Sequence, residues 1–179
     1  MTIYLIRHGK TSANEKHLYC GSTDLPLSDT GKEELQSIRY DLKNVRFLTS
    51  GMKRTNETLQ ILFGDVPYET DPRFREVDFG IFEMHSYDQL KDTEEYQAWL
   101  EGDNEINVPP KGESGEQMKA RVLEALSEIK EDTCVITHGG VIASIMEYLF
   151  LNEGKNRYQW QPKPGYGYAI ADRQCYKEL

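Results

Sequence analysis

Cysteine is scarce in this 179-residue chain. Its three copies, Cys20, Cys134 and Cys175, are odd in number, widely spaced and never arranged C-x-x-C. That excludes a disulfide framework and a zinc knuckle, fits a reduced compartment, and makes the cytoplasm the expected location. Long apolar runs are missing too, with none near the ~18 residues of a membrane span. Thr2–Ile6 is too short for a signal peptide's apolar region, and Arg7 and His8 follow it at once. Positive charge is in deficit: 21 Lys and Arg face 30 Asp and Glu, for a net charge of −9. Such a surface repels nucleic acid and anionic lipid, so neither is expected as a partner. There are only four histidines and no H-E-x-x-H, so no metal site is expected. Gly9-Lys10-Thr11 imitates the end of a P-loop, but Tyr4 stands where that motif needs glycine, which removes the nucleotide reading.

Against these absences stands 11% aromatic content, enough for a real core in a chain the length of one domain. Thr2–Ile6, Arg46–Thr49, Val66–Glu69 and Thr133–Thr137 read as short strands, with two more near Gly167–Ala171 and Gln174–Lys177. Helical patterning starts at Ser28 and runs to about Leu42, then recurs over Arg54–Phe63, Tyr87–Leu100 (broken near Thr93) and Val141–Phe150. Ser114 and Gln117 form a capping box ahead of the stripe Met118, Val122, Leu126 and Ile129. Strands alternating with helices predict one α/β domain over 1–179 with a mainly parallel sheet. Asp92–Val108 holds six acidic residues and no basic one. It lies in a candidate insertion at about 81–112 that is expected to lie partly over a pocket and to disfavour polyanions there.

In such sheets ligands bind beyond the carboxyl ends of the strands. Strand one runs out into Arg7-His8-Gly9, strand two into Thr49-Ser50 with Arg54 just after, and the later strand into His138-Gly139-Gly140. Guanidinium forks bind phosphate oxygens, and helix starts add N–H donors, so this set reads as a site for a phosphoryl group. A neutral histidine can act as a covalent nucleophile, and nearby guanidiniums keep His8 neutral. Phosphoryl transfer then needs alignment, charge stabilisation and a proton donor for the leaving oxygen. Glu76, in Phe74-Arg75-Glu76-Val77-Asp78-Phe79-Gly80, is the candidate donor, with Asp78 and Glu83 close by. No cofactor is required. Tyr19, Trp99, Tyr166 and Tyr168 are candidate stacking groups for a bulky leaving group.

Leu5-Ile6-Arg7-His8-Gly9-Lys10-Thr11 with Asn14 resembles the signature of the histidine phosphatase superfamily, which includes the cofactor-dependent phosphoglycerate mutases. The likeness continues through Gly21, Asp24, Pro26-Leu27-Ser28, Gly31, Ser50-x-x-x-Arg54-Thr55, Arg75-Glu76 and Gly80 to Thr137-His138-Gly139-Gly140. It implies a three-layer α/β/α fold of phosphoglycerate mutase type. It also implies His8 as the phosphorylated nucleophile, Arg7, Arg54 and His138 as the phosphate clamp, and Glu76 as the acid–base. Asn14, Gly21 and Gly139 would line the substrate pocket, with Thr11 and Cys20 beside them. Departures from the family pattern are Lys10, where Glu or Gln is usual, and Met84, where glycine is frequent. Glu76-Val77-Asp78-Phe79 replaces the Glu-Arg-His-Tyr of the mutases, which favours a metal-independent hydrolase of small phosphate esters. The segment Gly21–Leu27 and the short length are similar to those of α-ribazole phosphatases. A mutase and a catalytically silent phosphate-binding module are the competing readings. Nothing in the pattern reports the oligomeric state.

Overall fold

The computed structural model describes residues 1–103 and 105–179. Six strands, β1 (Thr2–Arg7), β2 (Arg46–Thr49), β3 (Glu69–Thr70), β4 (Thr133–Thr137), β5 (Gly167–Ala171) and β6 (Cys175–Glu178), form one sheet in the order β3-β2-β4-β1-β5-β6. The pairs β3–β2, β2–β4 and β4–β1 are parallel, whereas β5 and β6 add an antiparallel edge.

Alternate residues of the central strands serve opposite faces, as strand geometry requires. Ile3, Leu5 and Val135 pack under α6 (Gly115–Glu128) and α7 (Gly139–Leu149), with Met118, Val122, Leu126, Ile142 and Ile145. Ile6, Cys134 and Ile136 pack under α2 (Asp29–Gln36) and α3 (Lys53–Phe63), with Leu35, Leu59 and Leu62. The fold is therefore α/β in three layers with a mainly parallel sheet. Every residue of β4 is buried, which is why it reads as an unbroken Thr-Cys-Val-Ile-Thr run.

Several boundaries differ from the sequence reading. The helix opened by Ser28 ends at Gln36, well short of Leu42. The Ser37 hydroxyl donates to the Glu34 carbonyl and the Arg39 guanidinium to that of Gln36, so side chains take over the last carbonyls. The strand expected at Val66–Glu69 is only Glu69–Thr70, because the Val66 amide turns back to Gly64. Two single-turn helices, α1 (Ser12–Glu15) and α8 (Arg157–Trp160), have no periodic signal but carry full capping boxes. Residues 87–100 split into α4 (Tyr87–Leu90) and α5 (Glu94–Leu100), with the break at Thr93 as expected. No described helix is long and apolar enough to cross a membrane.

Arg7 pairs with Thr137 and Thr49 with Ile136, so the carboxyl ends of β1, β2 and β4 stop at one level. The loops leaving them meet there.

Candidate active site

His8 is the first residue past β1. Its amide donates to the Thr137 carbonyl at 2.9 Å, locking the ring's starting point to the end of β4. Nδ1 lies 2.6 Å from the Gly9 carbonyl oxygen. A carbonyl only accepts, so Nδ1 carries the proton and Nε2 keeps its lone pair. Burial, then the charge of Arg54 and, less, of Arg7, hold this ring's pKa well below the usual 6.5, outweighing the Gly9 bond. His8 is thus neutral at physiological pH.

The His138 ring packs edge-on to His8, with centroids 5.0 Å apart. Its protons are ordered by a chain that can be read from its far end. The Thr55 hydroxyl donates to Met52, so it accepts from the Ser50 hydroxyl at 3.0 Å. The Ser50 oxygen therefore accepts from His138 Nε2 at 2.9 Å, and His138 Nδ1 accepts from Arg54 Nε at 3.3 Å. Burial and the Arg54 charge lower the His138 pKa as well. Arg54, in the first turn of α3, spends its other two nitrogens on the carbonyls of Thr23 and Gly21. It braces a loop and a ring rather than offering an open fork.

Arg7 is different. Nη1 donates to Pro162, but Nε is buried without a partner, beside His8, Gly139 and Gly140 in the wall of the cavity described below. A Cβ on Gly139 would lie 3.2 Å from that guanidinium, so glycine leaves the space open. An unpaired buried donor facing a helix N-terminus suits an anion.

Glu76 sits opposite. Its carboxylate accepts from the Gly140 amide at 2.9 Å and the Val77 amide at 3.0 Å. A Cβ on Gly140 would come within 2.4 Å of it. Of the three neighbouring acids only Glu76 lines the cavity. Asp78 accepts from the Ser22 hydroxyl and the Gly80 amide. Glu83 accepts from the amides of Gly21, Ser22, Thr23 and Phe79 and from the Thr23 hydroxyl.

The remaining candidates divide. Asn14, Cys20 and Gly139 line the cavity; burial pushes the Cys20 thiol pKa up. Thr11 is buried as the N-cap of α1, where its hydroxyl and the Asn14 side chain hold each other. Gly21 has its amide on Glu83 and its carbonyl on Arg54; a Cβ there would strike the Val77 carbonyl at 1.6 Å. Thr11 and Gly21 shape the loops and offer no group of their own to the cavity. Lys10 reaches Glu34 on α2 instead of the pocket.

The cavity holds about 550 Å³. Its lining includes Arg7, His8, Glu76 and Gly139 together with a cluster of aromatic rings, Tyr19, Phe79, Tyr87, Tyr96 and Trp99. The Tyr19 and Tyr96 hydroxyls lie 2.6 Å apart, closing a small aromatic core around Phe82 and Leu90. The other two stacking candidates lie elsewhere: Tyr168 is buried against Trp160 and Tyr176, and Tyr166 borders a separate cavity. Among the described residues, Glu105 is the one acidic side chain of that stretch that lines the pocket, beside Tyr96, Trp99 and Leu100, while Asp92, Glu94 and Glu95 face outward. Asn104 lies outside the described residues. Among the described residues no three His, Cys, Asp or Glu side chains converge as a metal set.

Glu113 and Arg157 also line the cavity, Glu83 and Arg121 brace the loops beside it, and the sequence pattern does not single them out as a set. Most of their partners are far away in the chain, although Glu113 and Arg121 pair at a separation of eight residues. Only the Glu113-Ser114 start of a capped helix is a local signal.

The model of the histidine phosphatase superfamily (branch 1) matches residues 3–165. An adenosylcobalamin/alpha-ribazole phosphatase of Escherichia coli K12 is 29% identical over 191 aligned positions, covering 100% of this chain and 94% of the relative. Phosphoglycerate mutase-like protein 4 of Arabidopsis thaliana is 31% identical across 81% of this chain and 69% of its own. The crystal structure of a phosphoglycerate mutase from Thermus thermophilus superposes with a TM-score of 0.81 at 27% identity, covering 100% of this chain and 98% of that one.

Proposed function

We infer the reaction from one premise: the chain belongs to the histidine phosphatase superfamily, branch 1. It is a phosphatase. We propose that it hydrolyses a small-molecule phosphate monoester through a phosphohistidine, without a metal. The His8 Nε2 lone pair attacks phosphorus, the ester P–O bond breaks, and Glu76 gives its proton to the departing oxygen. In the second half Glu76 takes a proton from water, whose oxygen attacks phosphorus and breaks the N–P bond, releasing inorganic phosphate and neutral His8. Arg7 and the amino end of α7 hold the phosphoryl oxygens, and Arg54 adds charge from behind.

The observation that carries this is the pairing of a neutral His8, bare at Nε2, with the buried unpartnered Nε of Arg7. For the leaving group we propose a planar heteroaromatic nucleoside of the α-ribazole kind. The aromatic wall supports it, as does the name of the Escherichia coli relative.

The test is phosphate release from α-ribazole 5′-phosphate and p-nitrophenyl phosphate in excess chelator. Wild type is expected to turn over both and to carry acid-labile label on His8 after rapid quench. His8→Ala should lose roughly 10⁴-fold or more in kcat and all label. With 3-phosphoglycerate as a third substrate, isomerisation without phosphate release would overturn the reading, as would activity abolished by chelator or no label on His8.

A further inference from the structure

Glu76 stands on a stretch with little regular structure of its own. Past the single 3-10 turn at Pro72–Phe74, residues 75–79 run without helix or strand. Upstream, the Thr137 hydroxyl donates to the Phe74 carbonyl at 2.7 Å. Glu83 accepts from the Phe79 amide, and three carbonyls of the stretch are held by one side chain reaching across from α6. Arg121 Nη1 donates to the carbonyls of Arg73 and Arg75, both at 2.7 Å, and Nη2 to that of Glu76 itself at 3.1 Å. The same guanidinium is gripped by Glu113 through a two-point ion pair, Nε to Oε1 at 2.8 Å and Nη2 to Oε2 at 2.7 Å. Glu113 in turn accepts from the Asp78 amide at 3.4 Å and donates its own amide to the Asp78 carbonyl at 2.8 Å. Both side chains are about four-fifths covered. Guanidinium geometry is suited to this, since one planar fork can satisfy several acceptors that ammonium cannot reach together.

We propose that Arg121, oriented by Glu113, is a positioning residue for proton transfer: it fixes the backbone under Glu76 so that the carboxyl meets the leaving oxygen. This rests on the reading of Glu76 as general acid. Arg121 touches no reacting atom. On this proposal its effect passes through the aim of Glu76, and a dependence on the leaving group separates that from a merely structural pair. An ester with a weakly basic leaving group departs without help, whereas an alkoxide does not, so misaiming the acid penalises only the second.

The experiment measures kcat/KM over phosphate monoesters whose leaving groups span p-nitrophenol to alkyl alcohols, for wild type, Glu76→Gln, Arg121→Ala, Arg121→Lys and Glu113→Gln. Glu76→Gln should steepen the dependence on leaving-group pKa, losing on the order of 10²-fold or more on alkyl esters and far less on p-nitrophenyl phosphate. Arg121→Ala is expected to reproduce that steepening in part, with kcat affected more than KM. Arg121→Lys and Glu113→Gln should fall between it and wild type, and they decide the matter if Arg121→Ala fails to fold. An equal loss on every ester in the Arg121 and Glu113 variants, with Glu76→Gln still selective, overturns the role of Arg121 alone. A flat response in Glu76→Gln removes Glu76 as the acid and this inference with it.

Discussion

Met84 is the residue at which the family pattern often has glycine, and its φ is +63°. That left-handed region costs a side chain of ordinary shape about 1–2 kcal/mol, and a β-branched one more. Glycine removes that cost but loses roughly 0.5–1 kcal/mol of backbone entropy on folding. Met84→Gly should therefore be nearly neutral, while Met84→Val should destabilise by about 1–3 kcal/mol; urea unfolding of both variants measures the contrast. At this scale the sequence is most legible where a residue's neighbours in the chain are also its neighbours in space. Arg7, His8 and His138 each lie at or just past a strand's end and can be placed by reading alone. Glu83 and Arg121 cannot, because most of the groups they hold lie some 45–62 positions away. For Thr11 and Gly21 the sequence reports the place but not the task, since their polar groups are spent within the loops.

Among the elements, α5 shows how a polar segment can serve a site. Its glutamates face solvent while Tyr96 and Trp99 turn inward onto Tyr19, Phe79 and Phe82. Charge composition suggests an electrostatic cover; the aromatic side of the same helix supplies the pocket wall instead. The Trp99 indole is tied by its N–H to the Asn107 carbonyl at 3.2 Å, which fixes the ring's angle. Trp99→Ala should lower kcat/KM for a heteroaromatic nucleoside phosphate about tenfold relative to a small alkyl phosphate. Parallel steady-state assays on the two esters give that ratio directly, and an unchanged ratio would remove stacking from the account. The starts at Ser28 and Ser114 are legible from their caps, and the ends at Phe63 and Leu100 agree with the patterning, but the end of α2 does not. The end of α2 depends on side chains of Ser37 and Arg39 that no periodicity reports.

The architecture of the whole molecule is legible, because alternating strand and helix patterns leave few topologies for a mainly parallel sheet. Its response to acid is a property of the same scale. His8 and His138 are buried with pKa values well below 6.5, while the unfolded chain protonates both near the ordinary value. Above about pH 6.5 neither state takes up a proton there and stability is unaffected. Below it the unfolded state binds protons first, so stability falls as pH falls, by up to about 1.4 kcal/mol per pH unit for each ring. Denaturant unfolding at pH 7.5, 6.5 and 5.5 should show this slope, and His138→Gln should reduce it by about half.

The central place of β1 has a consequence for biogenesis. Ile3 is bonded on one side to Thr133 and on the other to Ile170, so both flanks of this strand are supplied from distant parts of the chain. During synthesis the aliphatic run Ile3, Leu5 and Ile6 leaves the ribosome long before either flank exists. It must wait, exposed and sticky, until some 130 further residues have been translated. Until both flanks are made, that run is accordingly a point of aggregation risk.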